Sequence, residues 1–377
     1  MRNFGLGIIG CGTISEIYFQ NTALFKRLKL IACADIVPAA AHYRAMQFGV
    51  EALDVETLLN RDDVDIIVNL TVPNAHFDIS LAALRAGKHV FTEKPICTTA
   101  QQARLLVALA KEKNLQMASA PDTFLGAGGQ MARHLLDSGK IGRPVMGTAF
   151  LMGHGMENWH PNPEFFFKPG GGPVLDMGPY YITTLVNMLG ACKRVTALTS
   201  IGQENRVVTA AGAHLGQIIK VETPTTAMAL LEFNNGTHIV MTMSWDVWRH
   251  SCPAIEIHCT EGSLKLPDPN FYGGEVHFSL RGKDWQSIAT TDHKFGKLNQ
   301  PAEAPEQANY RALGIAELAA AIENGDMPRA SGDLALHVLE VLEAILESGQ
   351  HRSAIDLPHR DIRPPVLTEI QAENLAI

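Results

Sequence analysis

Short apolar runs and amphipathic stretches alternate through the first third of the chain. Residues 4–9 carry no polar side chain and have strand length, glycines follow at 10 and 12, and helical spacing continues to about residue 28. A second apolar run, 28–34, ends on Asp35. Residues 38–48 and 55–60 read as helices, 65–70 as a buried strand, and 75–86 as a helix stopped by Gly87. Residues 89–92, 99–113 and 115–118 read as strand, helix and strand. This alternation predicts an α/β fold, a doubly wound parallel sheet covered on both faces. Ligands of such sheets bind at the carboxyl ends of the strands. Loops 10–15, 71–76 and 93–95 fall there and are expected to converge on one ligand.

The remaining two thirds change period. Residues 126–137 predict a linking helix, 145–152 a strand, and 171–190 a glycine-rich loop entering an apolar helix. Beyond Lys193, residues 194–200, 227–233, 238–245 and 255–259 alternate as half-buried antiparallel strands do. Asn234-Asn235-Gly236 between two of them is a hairpin signal. Residues 310–324 and 334–348 read as amphipathic helices packing back on the body, and the tail after Arg363-Pro364-Pro365 as peripheral. The expected division is a nucleotide-binding domain over 1–122 and a substrate-binding and oligomerisation domain over 123–377.

Composition narrows the class. With 377 residues, 46% of them hydrophobic, the chain is long enough for two cores. A net charge of −8 without a basic run argues against nucleic-acid or anionic-membrane partners. No secretory pattern opens the chain, and no apolar stretch reaches the roughly 18–20 residues that span a bilayer. The six cysteines are scattered with no C-x-x-C pair, as in a cytoplasmic protein with reduced thiols. No H-E-x-x-H or similar pairing of histidines occurs, so no metal is expected.

The candidate chemistry starts at the glycines. Gly10 permits a tight turn, Gly12 lets backbone approach a pyrophosphate, and the helix N-terminus at Thr13-Ile14-Ser15 offers N–H groups to the anion. Ser15 stands where the dinucleotide fingerprint has its third glycine, and its hydroxyl is a candidate phosphate ligand. Asp35 is placed to accept from a ribose diol and to repel a 2′-phosphate, and no arginine follows it directly, so NAD is expected over NADP. Thr71, Pro73, Asn74, His76, Glu93 and Lys94 complete the expected cofactor wall. Lys94 could hydrogen-bond a substrate oxygen and stabilise alkoxide character, or be an exposed loop lysine; Glu93 reads as a ribose or structural ligand.

Asp176 and Tyr180 lie four residues apart on the apolar helix and share a face. They could flank a sugar hydroxyl, or be a buried tyrosine bonded to a capping aspartate. Asp122, at the domain junction, and the loop carrying His154, Asn158, Trp159 and His160 supply further sugar-binding candidates: Trp stacks on sugar faces while His and Asn bond hydroxyls. Tyr310-Arg311 could approach this site, although Arg311 reads more simply as a surface arginine.

Here the chain resembles the glucose–fructose oxidoreductase / inositol dehydrogenase / rhizopine-catabolism (Gfo/Idh/MocA) family. The matching residues are G-I-I-G-C-G-T-I-S at 7–15, T-V-P-N-A-H at 71–76, A-G-K-H-V-F-T-E-K-P at 86–95, S-G-K-I-G-R-P at 138–144 and G-G-G-P-V-L-D-M-G-P-Y-Y at 170–181. The resemblance implies an N-terminal Rossmann domain and a C-terminal α/β domain with a large, mostly antiparallel open sheet. It implies a homo-oligomer, dimer or tetramer, often built through that sheet, and hydride transfer to NAD without a metal. Lys94 matches the family's catalytic lysine, and Asp176 the acid that orients substrate and base.

The chain departs from the family's D-x-G-x-H pattern by placing Tyr180 where the histidine base stands. A free tyrosine has a pKa of about 10 and is a poor base near neutrality without a neighbouring cation. Three readings follow: a Tyr180/Lys94 pair takes the hydroxyl proton, Lys94 takes it while Tyr180 only donates a hydrogen bond, or the chemistry is lost. The expected function is NAD-dependent oxidation of a sugar, cyclitol or related polyol. Aldoses are candidates, including pentoses and branched D-apiose, because aldose dehydrogenases share the D-M-G-P-Y-Y variant. The same fold also serves NAD-dependent glycosidases and non-catalytic sensors.

Overall fold

The computed structural model describes residues 2–300 and 307–377. The chain opens as β1 (Phe4–Ile9), α1 (Ser15–Thr22), β2 (Leu28–Ala34), α2 (Pro38–Phe48), β3 (Glu51–Leu53), α3 (Val55–Leu59), β4 (Ile66–Asn69), α4 (Pro73–Arg85), β5 (His89–Thr92), α5 (Ala100–Glu112) and β6 (Met117–Ser119). The six strands are all parallel in the order β3-β2-β1-β4-β5-β6, a Rossmann sheet. Every residue of β1 and β4 is buried, which is why those runs show no alternation. Local signals start the helices. Asp54 and Thr99 cap α3 and α5 through their side chains, and Pro38 and Pro73 stand in the first turns of α2 and α4.

Helix α1 ends at Thr22, short of the residue-28 limit that its spacing predicts. The reason is tertiary. Lys26 N–H donates to the Leu375 carbonyl, Ile377 N–H to that of Leu24, and Phe25 bridges Ala376. The C-terminal tail is therefore anchored against the α1–β2 turn, with Leu375 buried, rather than peripheral.

The second part runs α6 (Ala127–Asp137), β7 (Pro144–Met152), α7 (Gly172–Leu189), β8 (Cys192–Ser200), β9 (Asn205–Val207), β10 (Ile218–Lys220), β11 (Thr226–Phe233), β12 (His238–Ser244), β13 (Ile255–Cys259), β14 (Gly262–Leu266), β15 (Val276–Leu280) and β16 (Gln286–Ile288). It closes with α8 (Leu313–Asn324), α9 (Gly332–His351), β17 (Ile355–Asp356) and α10 (Glu369–Leu375). Nine strands form one sheet, β16-β15-β14-β13-β7-β12-β11-β8-β17, antiparallel except for the β7–β12 pair. Strands β9 and β10 form a separate ribbon. The hairpin signal at 234–236 joins β11 to β12, with Gly236 at φ 84°.

One face of the large sheet is covered by α7 and α9. There Val195, Ala197, Ala227, Ala229, Leu231, Ile239 and Met241 are buried, and each fully buried aliphatic side chain of Val or Leu size contributes about 1.5–3 kcal/mol. The opposite face leaves Leu198, Met228, Leu230 and Val240 exposed, paired across strands as Leu198–Met228 and Leu230–Val240. Helix α9 also packs on α5 and β6, and α8 on β2, β5 and β6, so the last helices clamp the parallel sheet to the second one. Among the described residues no helix is long and apolar enough to cross a membrane.

Candidate active site

The three loops at the carboxyl ends of β1, β4 and β5 lie together as their strand positions require. Gly10 has φ 101°, and a Cβ there would sit 2.5 Å from the Leu70 carbonyl, so only glycine fits. Its N–H donates to the Ala34 carbonyl (2.9 Å), and the Cys11 N–H donates to Asp35 Oδ2 (2.7 Å). The other oxygen of Asp35 accepts from Val37 N–H (2.8 Å), so this carboxylate also braces the glycine turn. A Cβ at Gly12 would meet nothing within 4 Å, and Gly12, Thr13 and Ile14 are exposed at the start of α1. This is an open backbone surface beside a carboxylate, which fits a dinucleotide. Ser15 differs from expectation: it is buried, and its hydroxyl donates to the Gly12 carbonyl (2.7 Å) instead of facing a phosphate.

The second loop divides. Thr71 is half-buried and donates to Asn69 Oδ1 (2.7 Å), while Pro73 and Asn74 are exposed at the start of α4. His76 turns inward. Its ring nitrogens face the carbonyls of Pro95 (2.6 Å) and Thr71 (3.0 Å), so it ties two loops together and has no nitrogen left for a cofactor. Burial pushes its pKa below the ordinary value, against the pull of those carbonyls. Glu93 is likewise committed, accepting from the Tyr18 hydroxyl (2.7 Å) and from the Lys94 N–H (2.8 Å).

Lys94 is no exposed loop lysine. Its ammonium donates to Asp176 Oδ1 (2.9 Å) and to the Asp176 main-chain carbonyl (2.6 Å), joining β5 to α7. It lies 5.3 Å from the centre of the Tyr180 ring. Burial alone would favour the neutral amine, but the charges of Asp176, Tyr180 and Glu93 and the bond to Asp176 outweigh it and raise the pKa. Lys94 is therefore held as a cation. Tyr180 is buried, yet no hydrogen bond engages its hydroxyl among the described residues; Asp176 is bonded to Lys94, not to Tyr180.

Asp122 is not free for a sugar hydroxyl. It is buried, bonded to the Tyr272 hydroxyl through Oδ1 and to the Gly314 N–H through Oδ2 (2.7 Å). Burial raises its pKa against both bonds. Its place is structural, fixing the start of α8.

The loop before α7 is tied to a buried arginine. Arg206, on β9, is fully buried and draws in Glu157 (2.9 Å) and Asp246. His154 follows Glu157 (3.4 Å) and stacks on Trp248 (3.6 Å between ring centres). His160 packs edge-on against Trp159 and Phe166, its Nδ1 accepting from Asn162 N–H (3.1 Å), and Trp159 is exposed. No hydrogen bond, ion pair or ring contact joins His154, Trp159 or His160 to Asp176 or Tyr180 among the described residues. A charge on a distant strand organises this loop, which spacing along the chain does not reveal.

Sequence reasoning also misplaced Arg311, which is half-buried rather than on the surface. It lies within electrostatic reach of Tyr180, Tyr272, Tyr18 and Glu93. Tyr18 and Tyr272 carried no signal, since each stands in an apolar or irregular stretch. Among the described residues no cluster of three or more His, Cys, Asp or Glu side chains is placed to hold a metal ion.

Comparison with known proteins agrees with this architecture. A family model described as an oxidoreductase family with an NAD-binding Rossmann fold matches residues 4–120, and the GFO/IDH/MocA C-terminal domain matches residues 130–265. The chain is 25% identical over 394 aligned positions to levoglucosan dehydrogenase of Pseudarthrobacter phenanthrenivorans, covering 95% of this chain and 99% of that protein. It is 27% identical to dTDP-3,4-didehydro-2,6-dideoxy-alpha-D-glucose 3-reductase of Saccharopolyspora spinosa, over 92% of this chain and 97% of that one. The structure of levoglucosan dehydrogenase in complex with NADH and L-sorbose superposes with a TM-score of 0.80 at 21% identity, covering 96% of this chain and all of that one. At that identity the likeness speaks for the fold. With both halves matched in order around one Lys94–Asp176 contact, the chain belongs to the Gfo/Idh/MocA family of oxidoreductases.

Proposed function

We propose that this chain is an NAD-dependent dehydrogenase that oxidises a secondary or anomeric hydroxyl of a sugar, cyclitol or related polyol. The observation that carries the reading is the Lys94–Asp176 pair beside a buried Tyr180 whose hydroxyl has no hydrogen-bond partner among the described residues. Gly10, Gly12, Thr13, Ile14 and Asp35 would hold NAD, with Thr71, Pro73 and Asn74 at its nicotinamide half; His76 and Glu93 support that wall from behind. When bound, NAD supplies the hydride acceptor.

The chain's own residues handle the proton. Lys94 donates a hydrogen bond to the reacting hydroxyl oxygen and stabilises its developing negative charge. Asp176 keeps that ammonium charged and aimed. With Lys94 held as a cation, the acceptor is the Tyr180 oxygen, whose own proton passes to solvent while the ammonium, 5.3 Å from the ring, offsets the charge left behind. As the carbinol carbon gives up hydride, its O–H proton passes to the Tyr180 oxygen and a carbonyl remains.

The named activities of the relatives, on levoglucosan and on a dTDP-linked dideoxy sugar, support the carbohydrate substrate class. Aldoses, D-apiose among them, are candidates from the D-M-G-P-Y-Y variant. The exposed apolar pairs on the outer face of the nine-stranded sheet support a homo-oligomer formed there. Six free cysteines, four of them buried, support a reducing, cytoplasmic setting.

The test is reduced-nicotinamide absorbance with NAD, then NADP, across aldoses, ketoses and inositols. Turnover of at least one of them with NAD is expected. NADH binding without turnover of any free polyol, together with release of sugar from a glycoside, would replace this reading by the glycosidase one.

A further inference from the structure

The chain has five arginines with no carboxylate within salt-bridge distance among the described residues. Arg85, Arg143, Arg249 and Arg352 are exposed to water; Arg311 is half-buried. Its Nη1 donates to Asn309 Oδ1 (3.1 Å) and its Nη2 to Asn270 Oδ1 (3.4 Å), both neutral amides, the second at long distance. A guanidinium cannot shed its proton, carries five donors, and costs free energy when withdrawn from water without an anion. The other withdrawn arginines obey that rule: Arg133 pairs with Asp137, Arg206 with Glu157 and Asp246, Arg329 with Glu317.

The backbone holds Arg311 deliberately in place. The next residue, Ala312, is buried at φ 86°, a left-handed conformation that a side chain with Cβ adopts only under constraint. Two residues further on, the Gly314 N–H is clamped by Asp122, itself bonded to Tyr272. The groups facing the guanidinium are Tyr180 first, then Tyr272, Tyr18 and Glu93, and the Asp122 carboxylate, already bonded to Tyr272 and the Gly314 N–H, also lies within its electrostatic reach. Glu93 offsets part of the charge at longer range, but its oxygens already accept from Tyr18 and Lys94 N–H. Asp176 is neutralised by Lys94. Among the described residues this cation thus has no carboxylate in salt-bridge contact, and it lies within electrostatic reach of Tyr180.

We propose that Arg311 receives a carboxylate of the substrate, making the preferred substrates polyhydroxy acids, of aldonic or uronic type, rather than neutral sugars. The planar fork of the guanidinium matches a carboxylate bidentately. This rests on the dehydrogenase reading of Lys94, Asp176 and Tyr180, and no role of Arg311 in proton transfer is needed.

The test compares neutral sugars with their acids on the full-length protein with NAD: D-glucose with D-glucuronate, D-galactose with D-galacturonate, and sorbitol with D-gluconate. In at least one pair kcat/KM should favour the acid by about tenfold or more, as expected for a charge-assisted bond. Arg311→Gln should collapse that ratio towards one, and Arg311→Lys, which keeps the charge without the fork, should retain part of it. NADH affinity, read by fluorescence, should stay within about twofold in both variants. Neutral sugars matching or exceeding every acid would overturn the proposal while leaving the dehydrogenase standing. So would a loss of NADH affinity with an unchanged ratio, which would assign Arg311 to the cofactor's phosphates. If no compound is turned over, the dehydrogenase reading falls separately. Titration of D-galacturonate and D-glucuronate into NADH-loaded protein then decides Arg311: binding lost in Arg311→Gln supports it, and no binding in the wild type refutes it.

Discussion

The Lys94 ammonium is bonded twice to Asp176, at 2.9 Å to a carboxylate oxygen and at 2.6 Å to the main-chain carbonyl. One residue comes from the end of a parallel strand and the other from a helix laid on the antiparallel sheet. The contact makes the position of the ammonium depend on how the two sheets are docked. Pro179, inside α7, withholds the N–H that the Leu175 carbonyl would receive, so the turn carrying Asp176 is one backbone donor short.

Removing the ammonium should cost catalysis far more than cofactor binding. Lys94→Ala is expected to lower kcat by about 10²–10³-fold, the usual consequence of deleting one oxyanion donor. NADH affinity should change little, because the glycine loop and Asp35 are untouched. Steady-state rates beside NADH fluorescence titration check this; a variant that retains kcat would remove Lys94 from the reaction.

Tyr180→Phe separates the two proton-transfer schemes. The ring and its packing survive, and only the unbonded hydroxyl is lost. Loss of kcat by about 10²-fold or more is expected for a proton acceptor. An unchanged kcat would return proton transfer to Lys94 or to water.

Asp35 carries both selectivity and structure, since its oxygens accept from Cys11 and Val37 N–H groups. Asp35→Ser should weaken NAD binding by about tenfold to a hundredfold, from lost charge-assisted bonds. The NADP-to-NAD ratio of kcat/KM should rise, because the carboxylate that repels a 2′-phosphate is gone. Arg44 lies near, 2.9 Å from Glu16, and Arg44→Ala in the Asp35→Ser background should reverse any NADP gain if Arg44 supplies the new phosphate contact.

Glu340, on α9, gives the fold an acid-sensitive tie. Burial would raise its pKa, but His337, 3.8 Å away, with Arg360 and Arg104 at 2.8 and 2.9 Å, lower it to about 2. His337 accepts the Cys192 N–H on Nε2, so its proton is on Nδ1, towards Glu340. The folded pKa lies below the unfolded value of about 4.3, so the stabilisation is complete above that pH and fades as pH falls towards 2. It amounts to about 2–3 kcal/mol after allowance for the half-exposed Arg104. Urea unfolding at pH 6 and at pH 3 should show wild type losing more stability than Glu340→Gln; equal losses would refute the tie.

Much of this protein was legible from local pattern. The β1–α1–β2 unit, its glycine turn, the hairpin at 234–236 and the apolar helix with Asp176 and Tyr180 each depend on neighbours within a few residues. Turn chemistry and hydrophobic period therefore report them directly. The short strands β3, β9, β10 and β14–β17 escaped because two to five residues carry too little period to read, and their pairing comes from partners elsewhere.

What the tertiary structure decided is the occupation of each polar group. His76, Glu93 and Asp122 stand where sequence places a cofactor or substrate wall, yet each is spent on Thr71 and Pro95, Tyr18 and Lys94, or Tyr272 and Gly314. Arg206 pulls the His154–Glu157 segment towards Trp248, and Arg311 arrives beside Tyr180 from more than a hundred residues away. A charge withdrawn from water must find an opposite charge or a strong acceptor. Which one it finds depends on the packing of remote segments, so the residue types were written in the chain and their partners only in the fold.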